Sequence, residues 1–232
     1  MLRRPSSNSR TTSPIHLYFR MIPTDNANQT LLDERITRDR LMTVTDAILP
    51  FAMTLLVLNV DIPRDHDFMK DGLLSFLARI EHDLIIYAAS FSLIATYWIE
   101  HQQIFDSVRY ISRTLCWLNY AFLFFVTTLP FGTKLKGVYP HDSMVVVVFG
   151  AIHFMCWIIL IAIWRYLYWR QDLLRNSITP KAHQAMLNRL WAGPLVILIA
   201  IGVSFINVRL GTILLLSVPL ACIAAAYRNP LE

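Results

Sequence analysis

Apolar residues in this chain come in long blocks separated by short polar stretches. Blocks at about 41–60, 82–104, 115–130, 142–164, 190–206 and 209–226 each approach the roughly 17–25 residues a helix needs to cross a bilayer, the short ones extending into flanking aromatics. The pattern predicts an all-α membrane protein with six transmembrane helices per protomer. Between the first two blocks, Leu73, Phe76, Leu77 and Ile80 fall at i, i+3, i+4 and i+7, with Asp71, Ser75 and Arg79 on the other face. That spacing predicts a short amphipathic helix at the membrane surface. Asn207-Val-Arg209 is so tight a connection that the last two spans must form an antiparallel hairpin, with Arg209 snorkelling to the interface. The chain start shows no apolar period and is rich in Ser, Thr, Asn and Arg, which predicts a disordered tail. We place the tail at 1–34 and the six-helix transmembrane domain at 35–228.

Composition agrees with this class. The hydrophobic fraction of 55%, six Trp and a mean hydropathy of +0.46 exceed the roughly 45–50% apolar content of soluble chains. A net charge of +5 raises the question of nucleic acid. The basic residues, however, lie between apolar blocks and form no single stripe, so they read as topology signals and not as a nucleic-acid surface. Arginines of the tail, Arg109 and Arg113, the group Arg165, Arg170, Arg175, Lys181 and Arg189, and Arg228 all fall on one side. Arg64, Lys70, Arg79, Lys134, Lys136 and Arg209 fall on the other, mixed with the acids of the loop Asp61 to Asp71. The positive-inside rule therefore puts both termini in the cytoplasm. Trp164, Tyr166, Tyr168, Trp169 and Trp191 stand at span ends, where aromatic rings favour headgroup depth. The Arg/Ser-rich, acid-free start is compatible with an organelle transit peptide, with a dispensable tail, or with a start codon placed upstream of Met21. Cys116, Cys156 and Cys222 all lie in apolar runs without disulfide or metal spacing and read as small packing residues.

No catalytic constellation is visible, which argues against an enzyme. The seven histidines form no His-Glu-x-x-His pair, there is no Gly-x-Ser-x-Gly elbow, and no phosphate-cradling loop appears among seven glycines. Glu81-His82-Asp83 looks like a metal cluster on paper, but consecutive helical residues point in different directions and cannot converge on one ion. No metal or cofactor is expected. The informative residues are the polar ones inside spans. A charge in the hydrocarbon is costly, so Asp46 must face a bundle interior or a water path. Arg40 and Asp46 are six apart, about 240° around a helix, and cannot pair with each other. Trp98 and His101 share a helix face, and Asn119 lies at a similar depth, so the second and third spans offer the partners.

These residues resemble those of a known family, the bacterial branch of the transmembrane protein 175 potassium channels. The family's first span carries Arg-x-x-x-Phe-Ser-Asp and then a Leu-rich stretch with an internal Thr. Here that reads Arg40, Val44, Thr45, Asp46 and then Thr54-Leu-Leu-Val-Leu58. The resemblance continues through Tyr97-Trp98-Ile-Glu-His101, Leu115-Cys-Trp117-Leu-Asn119 and Leu129-Pro130-Phe131, and spans residues 35–226. It implies a homotetramer in the bacterial plasma membrane whose first helices line a central cation pore, with K+ ions and the lipid bilayer as partners. By position, Phe51, Thr54, Leu55 and Leu58 would face the pore, while Arg40, Thr45, Asp46, Trp98, His101 and Asn119 would form a structural polar network. Residues 51, 55 and 58 do lie on one helical stripe with Thr54 at its shoulder. Helix packing or lipid contact supplies the same stripe, so only the resemblance turns it toward a pore. If it does line one, a ring of bulky apolar side chains can gate by dewetting. For Asp46 the resemblance favours positioning the helix over ion coordination.

Three departures from the family pattern stand out. Val44-Thr45 replaces Phe-Ser, which keeps a hydroxyl and loses an aromatic surface. Phe51 replaces an aliphatic residue at the presumed constriction. Pro50 has no N–H, so it deprives the Asp46 carbonyl of its helical donor and predicts a kink. The leading expectation is a passive, modestly selective potassium channel. Two alternatives stay open. One is a proton-coupled transporter with an Asp46/His101 relay, weakened by the lack of internal repeats or paired broken helices. The other is a non-conducting membrane scaffold in which Phe51 seals the axis.

Overall fold

The computed structural model describes residues 25–60 and 68–228, with side-chain surroundings from Arg38 onward except at 68–71, Leu73 and Arg79. The start of the tail and the acidic loop over 61–67 lie outside the described residues, as do the side chains of Asp71, Leu73 and Arg79. Seven α-helices make up the described chain: α1 Asp25–Leu56, α2 Phe68–Asp106, α3 Arg113–Val138, α4 Ser143–Trp169, α5 Pro180–Ser204, α6 Val208–Leu216 and α7 Val218–Arg228. α1 runs back through 25–34, a segment the sequence assigns to the tail.

The starts of α3 to α6 follow local chemistry. Ser112, Asp142 and Thr179 each accept a hydrogen bond from a backbone N–H of the first turn, at 3.2, 2.8 and 3.2 Å. Asn207 accepts two, from Arg209 and Leu210, and turns the chain between α5 and α6 as the tight connection requires. These caps satisfy N–H groups that a helix start otherwise leaves orphaned.

Among the described residues four helices are long and apolar enough to cross a membrane: Arg38–Asn59, Arg113–Val138, Ser143–Trp169 and Pro180–Ser204. The block at 82–104 is helical but does not join them, because Glu100, His101, Gln102 and Gln103 at one end dilute its apolar content. The predicted surface helix is not separate from it. Residues 73–80 continue into α2 because nothing between them breaks a helix, and the break comes earlier, at Gly72. Gly72 has φ 77°, a conformation only glycine takes cheaply. The last block is two helices, α6 and α7, bent by 43° at Ser217. Pro219 explains the break: without an N–H it cannot donate to the carbonyl of Leu215.

α3, α4 and α5 pack in sequence order, α6 and α7 pack back on α5, and α1 sits at the edge against α2 and α3. The centre is aromatic. The Tyr97 ring meets Trp157 edge-on at 5.1 Å and Phe122 at 6.4 Å, while its hydroxyl lies 2.8 Å from His153 Nδ1. Cys156 and Cys222 are buried and free, and Cys116 is half-buried and free.

Several residues counted as surface signals are internal. Arg189 is buried on α5, where its Nε donates to Glu100 Oε1 of α2 at 2.7 Å. Lys136 is also buried, within a third helix that runs on to Val138, and donates to the Pro140 carbonyl at 2.6 Å. Trp164 is buried and donates to the His183 carbonyl at 3.2 Å, and Tyr168 stacks on the His183 ring at 3.8 Å. Both tie α4 to α5. Trp169, in contrast, is exposed.

Close helix approach depends on two glycines. A Cβ at Gly193 would collide with the Trp157 indole, and one at Gly211 would come within 2.6 Å of Ser204 Cβ. Gly202 has open space around it. Gly193→Ala should therefore lower stability by about 1–3 kcal/mol through overpacking. Gly202→Ala should be neutral or gain up to about 1 kcal/mol of helix propensity. Thermal unfolding of the two purified variants in one detergent checks this, and equal midpoints would refute the packing assignment.

Candidate pore helix and its polar clamp

α1 presents two different faces. Leu41, Thr45, Leu49, Ala52, Met53 and Leu56 are buried against α2 and α3. Phe51 is 62% exposed and Leu58 is 73% exposed, Thr54 is exposed between them, and Leu55 is half-buried at the margin. Only 33% of the span's most apolar window is buried, against 56% for α4. The exposed row contains little that is polar. Thr54 spends its hydroxyl hydrogen on the Phe51 carbonyl at 2.8 Å, which leaves the oxygen's acceptor side on the open face. The helix continues through Pro50 without interruption.

The polar residues of the first three helices form two separate sets. In the buried set, His101 Nε2 donates to Asn119 Oδ1 at 2.7 Å, Asn119 Nδ2 donates to Thr45 Oγ1 at 2.9 Å, and Thr45 Oγ1 donates to the Leu41 carbonyl at 3.0 Å. Asn119 and Thr45 each give one hydrogen and accept one, while His101 gives one and its buried Nδ1 has no partner, so the chain runs in a single direction and ends on the backbone of α1. All three side chains are fully buried. The His101 ring is sandwiched by Phe105 at 4.2 Å and Phe122 at 5.3 Å, which fixes its plane.

The second set is exposed. Asp46 Oδ1 accepts from Trp98 Nε1 at 3.3 Å and from Gln102 Nε2 at 2.6 Å. Trp98 and Gln102 are one turn apart on α2, so they approach the carboxylate from the same side. Neighbouring residues thus do different jobs: Thr45 ties α1 to α3, and Asp46 ties it to α2. At the far end, Asn59 Nδ2 donates to the Pro130 carbonyl of α3 at 2.7 Å.

Of the residues singled out in the sequence, Thr45, His101 and Asn119 meet one another, and Asp46 meets Trp98. Arg40 joins neither set. It is exposed, has no partner among the described residues, and lies eleven positions before Phe51, about 20° away around the helix and therefore on the open row. Gln102 was missed by sequence reasoning, although its i, i+4 spacing from Trp98 was a usable signal. Glu100 was missed because its partner, Arg189, looked like a loop charge. Among the described residues no group of three or more His, Cys, Asp or Glu could hold a metal ion.

A family model described as "Endosomal/lysosomal potassium channel TMEM175" matches residues 40–130, from α1 into α3. A potassium channel of Chamaesiphon minutus is 27% identical over 180 residues, covering 76% of this chain and 89% of that protein. A potassium channel of Streptomyces collinus is 24% identical, covering 74% and 84%. An endosomal/lysosomal proton channel TMEM175 of Danio rerio is 26% identical over 76% of this chain but only 35% of its own length. The fold is similar to the crystal structure of a lysosomal potassium-selective channel TMEM175 homolog from Chamaesiphon minutus. That match has a TM-score of 0.69 at 24% identity, over 84% of this chain and 98% of that one. The potassium channel MtTMEM175, crystallised as a variant with a nanobody fusion, matches with a TM-score of 0.56 at 18% identity, over 83% and 94%. The chain is thus similar to the TMEM175 family over residues 40–130, to bacterial potassium channels over about three quarters of its length, and to a solved TMEM175-homolog fold over more than four fifths.

Proposed function

We propose that this chain is the protomer of a passive potassium channel, a homotetramer in which four copies of α1 surround a central pore. The supporting observation is the edge position of α1, whose Phe51, Thr54 and Leu58 face out of the protomer while its other face is anchored. Relatives named as potassium channels supply the ion. In this reading α2 and the bent pair α6–α7 complete six membrane crossings, with both termini cytoplasmic in a bacterial plasma membrane. Phe51, Leu55 and Leu58 form the hydrophobic constriction, Thr54 offers its oxygen to a passing cation, and the two polar sets hold α1 in place.

Proton permeation is a second reading, favoured by the vertebrate relatives named as proton channels. It does not find a ready relay in Asp46 and His101, because each is bonded to different partners and no hydrogen bond joins them.

Reconstituted in liposomes, the protein should pass a potassium-driven flux, raised severalfold by Phe51→Ala and abolished by Asp46→Ala through misassembly. Run under a proton gradient with potassium absent, the same vesicles test the second reading. No flux from wild type or Phe51→Ala, with assembly intact, would leave only a scaffold. In a background free of the native cysteines, Phe51→Cys and Leu58→Cys should react with a water-soluble thiol reagent, and Ala52→Cys should not. The reverse pattern would remove α1 from the axis.

The buried set predicts its own hierarchy. Asn119→Ala strands both His101 Nε2 and Thr45 Oγ1 and should cost about 2 kcal/mol or more, whereas Thr45→Val should cost about 1 kcal/mol. Unfolding of the two variants in detergent measures this. Equal losses would mean that Asn119 does not bridge the other two.

A further inference from the structure

At the N-terminal end of the first span lies a cavity of about 460 Å³ that conduction along α1 does not use. Its lining among the described residues is Arg38, Asp39, Arg109 and Arg175: three guanidiniums and one carboxylate. They come from three parts of the chain, namely α1, the connection after α2 and the connection after α4. We propose that this cavity is a binding site for a phosphate group, carried by an inner-leaflet lipid headgroup or by a free phosphate anion.

The site is built and not a chance run of surface charge. The two connections that carry Arg109 and Arg175 are clipped together by backbone hydrogen bonds. The Arg109 and Tyr110 N–H groups donate to the Leu173 carbonyl at 2.8 and 3.1 Å, and the Arg175 N–H donates to the Ser107 carbonyl at 2.9 Å. Val108 and Leu174, buried between them, form an antiparallel bridge. Arg109 is further oriented over the Tyr110 ring, 5.0 Å from its centroid.

Arg38 is the least satisfied of the three. One terminal nitrogen reaches the Phe105 carbonyl at 3.4 Å, another lies 3.8 Å from Asp39, and its Nε is buried with no partner. Asp39 is mostly solvated, so it compensates little of the positive charge. The nearby acid Asp172 is taken by Arg170 through two bonds of 2.9 Å. Three fork-shaped donors around a water-accessible void, with one weak counter-charge among the described residues, offer more N–H groups than the two oxygens of a carboxylate or a single halide ion can share, and suit the several oxygens of a phosphate. The position at the boundary of the span puts the site at headgroup depth.

The test uses the full chain purified in a neutral detergent, titrated with dioctanoyl phosphatidic acid, inorganic pyrophosphate, or dioctanoyl phosphatidylcholine as a zwitterionic control. The readout is calorimetric binding. Wild type should bind phosphatidic acid or pyrophosphate saturably and more weakly as salt rises. The Arg109→Gln/Arg175→Gln double variant should bind about tenfold or more weakly. Arg175→Lys, which keeps the charge but loses the fork, should lose less. Arg170→Gln, outside the cavity, should bind as wild type. Comparable affinity for both anions would identify free phosphate chemistry as sufficient, and binding of phosphatidic acid alone would identify the headgroup. No saturable binding of either anion, unchanged affinity in the double variant, or an equal loss in Arg170→Gln would overturn the proposal. All of these outcomes are read without any ion flux.

Discussion

The one-way hydrogen-bond chain from His101 through Asn119 to Thr45 is the constraint on which the placement of α1 depends. An apolar helix at the edge of an apolar bundle has little to fix its rotation, because dispersion contacts tolerate many registers. A buried hydroxyl, amide and imidazole do not. The bonds among them form in only one geometry, and breaking them in a low-dielectric interior is penalised. Asp46, one residue on, adds a second tie in a direction about 100° away. Two adjacent residues thereby fix both the depth and the rotation of the helix.

Much of this was legible in the chain. Long apolar blocks marked the helices, and the few polar residues inside them marked where helices meet. What escaped notice has a common physical cause. Arg189 lies near the start of its apolar run, where a charge can as easily be in a loop as in a bundle, and only the position of Glu100 on another helix decides between them. The same holds for Lys136, whose helix outlasts its apolar block because polar residues continue it without a break. Hydropathy also understated α2, since the side chains that bind α1, α3 and α5 are the ones that lower its apolar content. Proline at 219 was visible, but a block read for length alone hid the break it makes.

Arginine illustrates how little a charge count determines. Arg189 is buried and neutralised by Glu100, Arg170 is solvated and neutralised by Asp172, and Arg38 is half-buried with part of its fork unused. A positive-inside count weighs them equally. Physically they are a structural tie, a surface pair and an open donor set.

Pro50 gains significance from where the ties are. Thr45 and Asp46 precede it, and Phe51, Thr54 and Leu58 follow it, with the next side-chain anchor to another helix at Asn59. A helix pinned in rotation cannot roll its exposed apolar row about its own length. Lacking the Pro50 N–H, the first turn after the ties is missing the bond that would stiffen it. The cheapest deformation left to α1 is therefore a bow between two fixed ends, with its softest point just below Phe51.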